Sequence, residues 1–205
     1  MINQLVGTAL QLLLFTSIPF IVYFVQNRSV KGFFDYIGLK KSTRRANLLA
    51  LLVVIIIIAP IAILVFTSPE FKDILLASQS VTGQLWRMGP NLQTVFAILL
   101  LAYIKTALTE EIFFRGFLAK RLIAATNFQT GNVLQALIFG ILHSLLFLRI
   151  TDNILFLLVI FLFPTIGAYL KTYLNEKMAN GSIIPGWIAH GTGNFLAYSL
   201  VVFSF

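Results

Sequence analysis

The sequence contains no cysteine among its 205 residues. This absence excludes disulfide bonds, thiol catalysis and cysteine-ligated metal. Charged residues are scarce as well, at 11% of the chain, whereas an average soluble domain has about 25%. Histidine occurs only twice and acidic residues only seven times. So little charge is not typical of a water-soluble domain, and the few ionisable groups in apolar surroundings become the candidates for function.

Long apolar segments take the place of the missing charge. Hydrophobic residues make up 59% of the chain, and the mean hydropathy is +0.92. Six segments approach the roughly 20 residues that a spanning helix needs. They are residues 2–25, 48–66, 92–122, 133–148, 154–173 and 183–205. The sequence therefore predicts an all-α, polytopic integral membrane helix bundle with about six transmembrane helices and a polar intramembrane site.

We expect one membrane domain over residues 1–205, with a motif-bearing core at about 92–205 and an N-terminal two-helix segment at 1–67. A loop with one short surface helix is expected at 67–91, and a loop containing Lys171 at 171–181. No linker is long enough to hold a soluble domain.

The distribution of basic residues predicts the orientation. The net charge is +8, and six basic residues lie in loop 26–45. Because lysine and arginine accumulate in cytoplasmic loops, we predict a multi-pass protein of the cell membrane with this loop in the cytoplasm and the N-terminus outside. The basic residues form no patch interleaved with aromatic residues. We therefore expect membrane lipid as a partner and no nucleic acid.

The strongest concentration of charge is a Glu-Glu pair at the end of an apolar run. Glu111 and Arg115 are four residues apart and share a helix face, whereas Glu110 points about 100° away from Glu111. We therefore expect Arg115 to compensate the charge of Glu111 in a supporting role. Glu110 is left unpaired in apolar surroundings, which suits a general acid or base.

Both histidines lie in later apolar segments and have a neighbour at helical spacing. Phe139 precedes His143 by four residues, and Asn194 follows His190 by four residues. Each pair therefore lies on one helix face. Taken separately, each histidine also fits a structural role in hydrogen bonding between helices.

Depth along the helices allows these groups to meet. At ~1.5 Å per residue, Glu110, His190 and His143 lie about 8, 10 and 15 Å from the inner edge of the hydrocarbon core. We expect them to line one polar cavity that opens toward the cytoplasmic side. Gly191 and Gly193 are expected to leave room there for a backbone or a substrate.

In order and spacing, these stretches resemble the three motifs of the CAAX-protease and bacteriocin-processing family of intramembrane proteases, also called the Abi family. Residues 110–115 match its motif Glu-Glu-x-x-x-Arg, residues 139–143 match Phe-x-x-x-His, and residues 190–194 match His-x-x-x-Asn/Asp. The resemblance covers about residues 102–198, which is about half of the chain.

The resemblance implies an endopeptidase that hydrolyses a peptide bond of a membrane-associated peptide or protein. It also implies that Glu110 and His143 activate water and that His190 and Asn194 form an oxyanion site. The chain is shorter than eukaryotic prenyl-protein proteases, which argues against prenylated CAAX substrates.

The sequence is compatible with a metal cofactor and with a mechanism that uses none. Glu110, His143 and His190 together are compatible with a zinc ion, but the sequence has no His-Glu-x-x-His helix. A glutamate-activated water without metal is an equally open interpretation.

Two other functions remain open. The first is a non-catalytic bacteriocin-immunity or regulatory membrane scaffold protein, and the intact motif set favours a protease over it. The second is a small transporter or proton relay. Against it, the sequence shows no paired half-repeat or symmetric broken helix.

Overall fold

A computed structural model describes residues 2–205, and this part of the chain folds into nine helices with no strand. The helices are α1 (Ile2–Asn27), α2 (Phe33–Tyr36), α3 (Arg44–Thr67), α4 (Pro69–Leu76), α5 (Val81–Met88), α6 (Leu92–Ala125), α7 (Phe128–Phe147), α8 (Ile154–Met178) and α9 (Ile184–Ser204). The predicted all-α fold is confirmed.

The long helices identify a multi-pass membrane protein. In residues 2–205, five helices are long and apolar enough to cross a membrane, namely α1, α3, α6, α7 and α8. The sixth predicted span, α9, is long enough at 21 residues, but His190, Asn194 and three glycines make it less apolar than the others. It packs against α3 and α6, so its polar side chains face other helices.

Side-chain caps decide where several helices begin. A Ser, Thr or Asn side chain accepts a backbone hydrogen bond at the N-terminus of each helix from α3 to α8. Such a cap satisfies one of the N–H groups that a helix end leaves free. Asn127 caps α7 in this way and accepts from the N–H of Thr130 at 3.0 Å. The cap explains why α7 begins at Phe128, earlier than the predicted start at residue 133.

One end of the bundle, which we call the basic face, is formed by residues 28–43 and 178–183. These two segments are bonded together, because the N–H of Ile183 donates to the carbonyl of Gly38 at 2.8 Å. Ile37 is 1% exposed and Ile183 is 0% exposed. Packed loop residues therefore close this face.

The other end, which we call the opposite face, carries α4, α5 and the turn at 148–153. The predicted loop at 67–91 contains two short helices where one was expected. Phe71 of α4 is 4% exposed and packs on Phe156 of α8, with ring centres 5.1 Å apart. These helices are therefore anchored on the bundle.

The prediction of a loop at residues 171–181 is wrong. Helix α8 continues to Met178, and its last turn, Leu174–Met178, is π-helical. The continuation is stabilised by Asn175, whose Oδ1 accepts from the N–H of Gly186 at 2.9 Å. Lys171 consequently lies inside the bundle and not in a loop.

Helix α6 is interrupted by two π-helical stretches, Leu100–Leu108 and Glu111–Ala119, which flank Glu110. In a π-helix each N–H bonds five residues back, and such distortions are frequent at functional sites. A side chain from α9 supports the first stretch, because Nε1 of Trp187 donates to the carbonyl of Tyr103 at 2.7 Å. The expected structure of this segment was a regular α-helix with a rise of ~1.5 Å per residue.

Candidate functional site

A cavity of about 810 Å³ lies between the long helices. It is lined by all four residues that the sequence analysis expected at the reaction centre. They are Glu110 on α6, His143 on α7, and His190 and Asn194 on α9. The tertiary structure thus brings the three motifs, which lie on three different helices, into one site.

The cavity extends from Glu110 to the opposite face, where Gln79, Thr82 and Arg149 line it. Gln79 is exposed, so the cavity opens there. The expected opening on the side of loop 26–45 is therefore wrong. The reason is the packing of the basic face, where Ile37 and its neighbours are buried under the site.

Glu111 lies behind the cavity in a buried ion cluster. Its Oε1 is 3.3 Å from Nη1 of Arg115 and 3.1 Å from Nζ of Lys171. The side chains of Glu111 and Arg115 are 0% and 1% exposed. The predicted pairing of Glu111 with Arg115 is therefore present, and Lys171 adds a second cation that the sequence reasoning had placed in a loop.

Glu111 also orients His190. Its Oε1 lies 3.0 Å from Nδ1 of His190. Because a carboxylate can only accept, Nδ1 carries the proton of this bond. The other ring nitrogen, Nε2, then faces Oε2 of Glu110 at 3.8 Å.

Glu110 keeps one carboxylate oxygen unpartnered. Within residues 2–205, its Oε2 is buried and has no hydrogen-bond partner. The 3.8 Å between this atom and Nε2 of His190 is too long for a direct hydrogen bond. Glu110 therefore faces the cavity with an acceptor available, as its position beside the paired Glu111 predicted.

His143 is held by its own helix. Its Nδ1 lies 2.8 Å from the carbonyl oxygen of Phe139 and donates to it, since a carbonyl only accepts. In the neutral ring, Nε2 is then a free acceptor. His143 can accordingly take a hydrogen bond or a proton from a bound molecule.

Phe139 has a role that the sequence reasoning missed. Its ring centre lies 4.3 Å from that of His143 and 6.0 Å from that of His190. The guanidinium carbon of Arg115 lies 4.0 Å from the same ring centre. This phenylalanine therefore separates the two histidines and covers the buried arginine, which gives a physical reason for an aromatic residue at this position.

Asn194 offers a donor. In the part of the chain that the structure describes, its Nδ2 is buried without a hydrogen-bond partner, and the residue lines the cavity. A buried donor without a partner costs about 1–3 kcal/mol. The arrangement therefore suits an acceptor group that enters the cavity.

The two glycines near His190, which were expected to leave room for a backbone or a substrate, differ from each other. A methyl group at Gly191 would collide with the ring of Tyr103, which fills the space there. Gly193 lines the cavity, and a methyl group at this position would meet the side chain of Ile58 at an ordinary distance of 3.6 Å. Gly193 and not Gly191 therefore leaves room on the cavity side.

The proposed zinc ligands do not form a metal site in this arrangement. Among residues 2–205, no group of three or more His, Asp or Glu side chains is placed to hold a metal ion. The hydrogen bonds at Nδ1 of His143 and His190 leave both Nε2 atoms available, as is usual for a metal-bound histidine. Glu110, His143 and His190 are nevertheless not gathered around one point among the described residues.

Comparison with known proteins adds an independent finding. A family model described as type II CAAX prenyl endopeptidase, Rce1-like, matches residues 92–196. The match includes every residue of the three motifs and spans α6 to the middle of α9. No curated protein and no solved structure matches the chain.

Proposed function

The chain belongs to the Rce1-like family of type II CAAX prenyl endopeptidases, and on that premise we propose that it is an intramembrane endopeptidase. The family is a protease family, so the general activity is peptide-bond hydrolysis. The proposed reaction uses a water molecule activated by Glu110 and His143. The substrate is a membrane-associated peptide or protein, and the protein acts in the cell membrane, surrounded by lipid.

The observation that carries this proposal is the unpartnered Oε2 of Glu110. Glu110 lines one cavity together with His143, His190 and Asn194, and Nδ2 of Asn194 is likewise buried without a partner among the described residues. Glu111 differs from Glu110 in two respects: its Oε1 is paired with Arg115 and Lys171, and the residue does not line the cavity. Unpaired acceptors and donors that face one cavity are instead suited to bind the atoms of a reacting group.

In the first step, the water donates one proton to Glu110 while its oxygen attacks the carbonyl carbon of the scissile bond. Nε2 of His143 accepts the second hydrogen of that water as a hydrogen bond and orients it. Proton transfer by a positioned carboxylate contributes about 10²–10⁴-fold to rate.

The carbonyl oxygen becomes negatively charged in the tetrahedral intermediate. Nδ2 of Asn194 donates to this oxygen. Nε2 of the neutral His190 is an acceptor in the bonding arrangement described above, so the mechanism assigns the oxyanion contact to Asn194. Such prepositioned donors contribute about 10²–10³-fold. In the second step the carbon–nitrogen bond breaks, and Glu110 returns its proton to the leaving amine.

Zinc has no step in this mechanism. The three candidate ligands are not gathered, and the buried cations Arg115 and Lys171 lie beside the same cluster. We expect the purified protein to contain well under one zinc ion per chain and to keep its activity after treatment with a chelator. Stoichiometric zinc together with loss of activity on chelation would overturn the metal-free mechanism.

The cavity supports an apolar substrate segment. Beyond the polar groups, its wall is built from aliphatic and aromatic side chains of α3, α7 and α9, such as Ile57, Phe147 and Val201. Because the cavity opens at the opposite face, the scissile segment enters from that side.

The proposal is tested by comparing the peptides released in membranes of cells that contain the wild-type protein or the Glu110→Gln variant. The matched control is Glu70→Gln, which makes the same chemical change at an exposed position on α4. We expect new peptide N-termini with the wild type and with Glu70→Gln, and none with Glu110→Gln. If Glu110→Gln produced the same N-termini as the wild type, the proposed role of Glu110 would be wrong. If the wild type produced none, the non-catalytic scaffold function would be favoured.

A further inference from the structure

Lys171 is a buried cation that lies outside the three motifs. It sits on α8, near the end of a long apolar run, and its side chain is 7% exposed. Its Nζ is 3.1 Å from Oε1 of Glu111 and 5.2 Å from the ring centre of Phe139. The residue also lines the cavity that contains Glu110. A lysine in a spanning helix is costly and calls for a specific partner.

Pairing with Glu111 alone does not explain this lysine. Arg115 already supplies one full positive charge to that carboxylate, at 3.3 Å, and His190 adds a hydrogen bond to the same oxygen at 3.0 Å. If Glu111 were the one counter-charge for both Arg115 and Lys171, one positive charge would remain in excess. An uncompensated charge in an apolar interior is strongly unfavourable.

The charges balance when both glutamates are counted. Arg115 and Lys171 carry two positive charges, and ionised Glu110 and Glu111 carry two negative charges. The other ionisable side chains that line this cavity are His143, His190, Tyr198, Lys105 and Arg149. Of these, the two histidines are neutral in the bonding arrangement described above, and Tyr198 is a neutral phenol. Arg149 lies at the mouth of the cavity, and Lys105 is partly exposed with its Nζ beside Gly7 of α1.

We propose that Lys171 is a positioning residue for the reaction, because its ammonium group supplies the second buried positive charge that balances the adjacent carboxylates of Glu110 and Glu111. The effect of Lys171 on the reaction rate rests on the proposed function. The effect of Lys171 on charge balance is separate and can be measured without a substrate. The ammonium group acts through Glu111 and Glu110, and it takes no part in bond making.

Lys171 also belongs to a group of contacts that joins three helices. Glu111 belongs to α6, His190 to α9 and Lys171 to α8. The carboxylate of Glu111 therefore ties three helices together at one atom. Removal of the ammonium group would take away one of the three partners that hold Oε1 of Glu111 and would loosen the orientation of His190 toward Glu110.

The substrate-free test uses thermal unfolding in detergent for four proteins: the wild type, Lys171→Met, Glu110→Gln and the double variant. Methionine keeps the length of the side chain and removes the charge. We expect Lys171→Met to lower the unfolding temperature and Glu110→Gln to restore part of that loss, because the double variant is again balanced. Lys177→Met, at an exposed position on the same helix, is the matched control and should change little.

A purely structural pairing of Lys171 with Glu111 gives a different result. In that case Glu111→Gln, and not Glu110→Gln, would restore the stability of Lys171→Met. Additive losses in the Lys171→Met/Glu110→Gln double variant would overturn the charge-balance proposal. Neither outcome depends on whether the protein cleaves peptides.

The kinetic test uses a substrate identified by peptide release. We expect Lys171→Met to lower kcat on the order of 100-fold with little change in KM, as for the loss of acid–base function. Lys171→Arg keeps the charge and should retain most of the activity. An unchanged kcat in a folded Lys171→Met protein would overturn the positioning role. If Glu110→Gln lost activity and Lys171→Met did not, the proposed function would still hold and only the role of Lys171 would be wrong.

Discussion

Oε1 of Glu111 lies 3.0 Å from Nδ1 of His190, although 79 residues separate them in the chain. The bond sets which nitrogen of the imidazole carries the proton, and it points the other nitrogen toward Glu110. A hydrogen bond at one nitrogen commonly decides the chemistry of the other. The two adjacent glutamates therefore have different surroundings: Glu111 holds other residues in place, and Glu110 faces the cavity.

Replacement of Glu111 tests its holding role. Glu111→Gln removes the carboxylate that directly contacts Arg115 and Lys171 and leaves Glu110 as the one counter-charge for two buried cations. We expect it to lower the free energy of unfolding by about 3–5 kcal/mol, measured by thermal unfolding in detergent. The exposed Glu70→Gln control should stay within about 0.5 kcal/mol of the wild type. Unchanged stability of Glu111→Gln would contradict the role of this residue.

Replacement of Glu110 should separate activity from folding. Glu110→Gln keeps the size of the side chain, and the protein should remain folded, although with a lower unfolding temperature because one buried cation loses its counter-charge. Cleavage should be lost, because an amide does not take a proton from water. The measurement is cleavage of a co-expressed substrate together with thermal stability. An active Glu110→Gln beside a folded but inactive Glu111→Gln would reverse the two roles.

Asn194 should contribute to the rate but not to stability. Its Nδ2 has no partner among the described residues, so Asn194→Ala loses no internal hydrogen bond from this atom. We expect kcat to fall about 10²–10³-fold with little change in KM, as for the loss of an oxyanion donor. The unfolding temperature should be retained. A normal kcat would remove Asn194 from the reaction.

The two glycines of the third motif should respond differently to alanine. At Gly191 the added methyl group collides with the ring of Tyr103, and such overpacking costs about 1–3 kcal/mol. At Gly193 it meets Ile58 at 3.6 Å. There alanine should be neutral or stabilise the helix by about 0.5–1 kcal/mol. Thermal unfolding of the two variants compares them directly, and equal losses would contradict the packing described here.

The orientation in the membrane is tested by labelling, which is simple because the chain has no cysteine of its own. Lys40 is exposed on the basic face, and Gln79 is exposed at the mouth of the cavity. With loop 26–45 in the cytoplasm, Gln79→Cys should react with an impermeant reagent on intact cells. Lys40→Cys should react only after permeabilisation. The reverse pattern would invert the orientation and place the mouth of the cavity in the cytoplasm.

Several features of the protein were determined by the sequence alone, and each depends on residues that are close together in the chain. Hydrophobic runs predicted the long helices because the hydrocarbon core sets the length of a span. The four-residue spacing of Glu111 and Arg115 predicted their ion pair because such residues share a helix face. The order of the three motifs was sufficient to indicate the family.

Contacts between distant segments were decided by the tertiary structure. Lys171 had been placed in a loop because it ends an apolar run, and only the tertiary structure shows that its side chain reaches Glu111 on α6. The direction of the cavity follows from the closure of the basic face around Ile37 and Ile183, which no local pattern reports. Hydropathy and spacing describe one helix at a time, whereas the charge balance at Glu110 depends on side chains from two helices, α6 and α8.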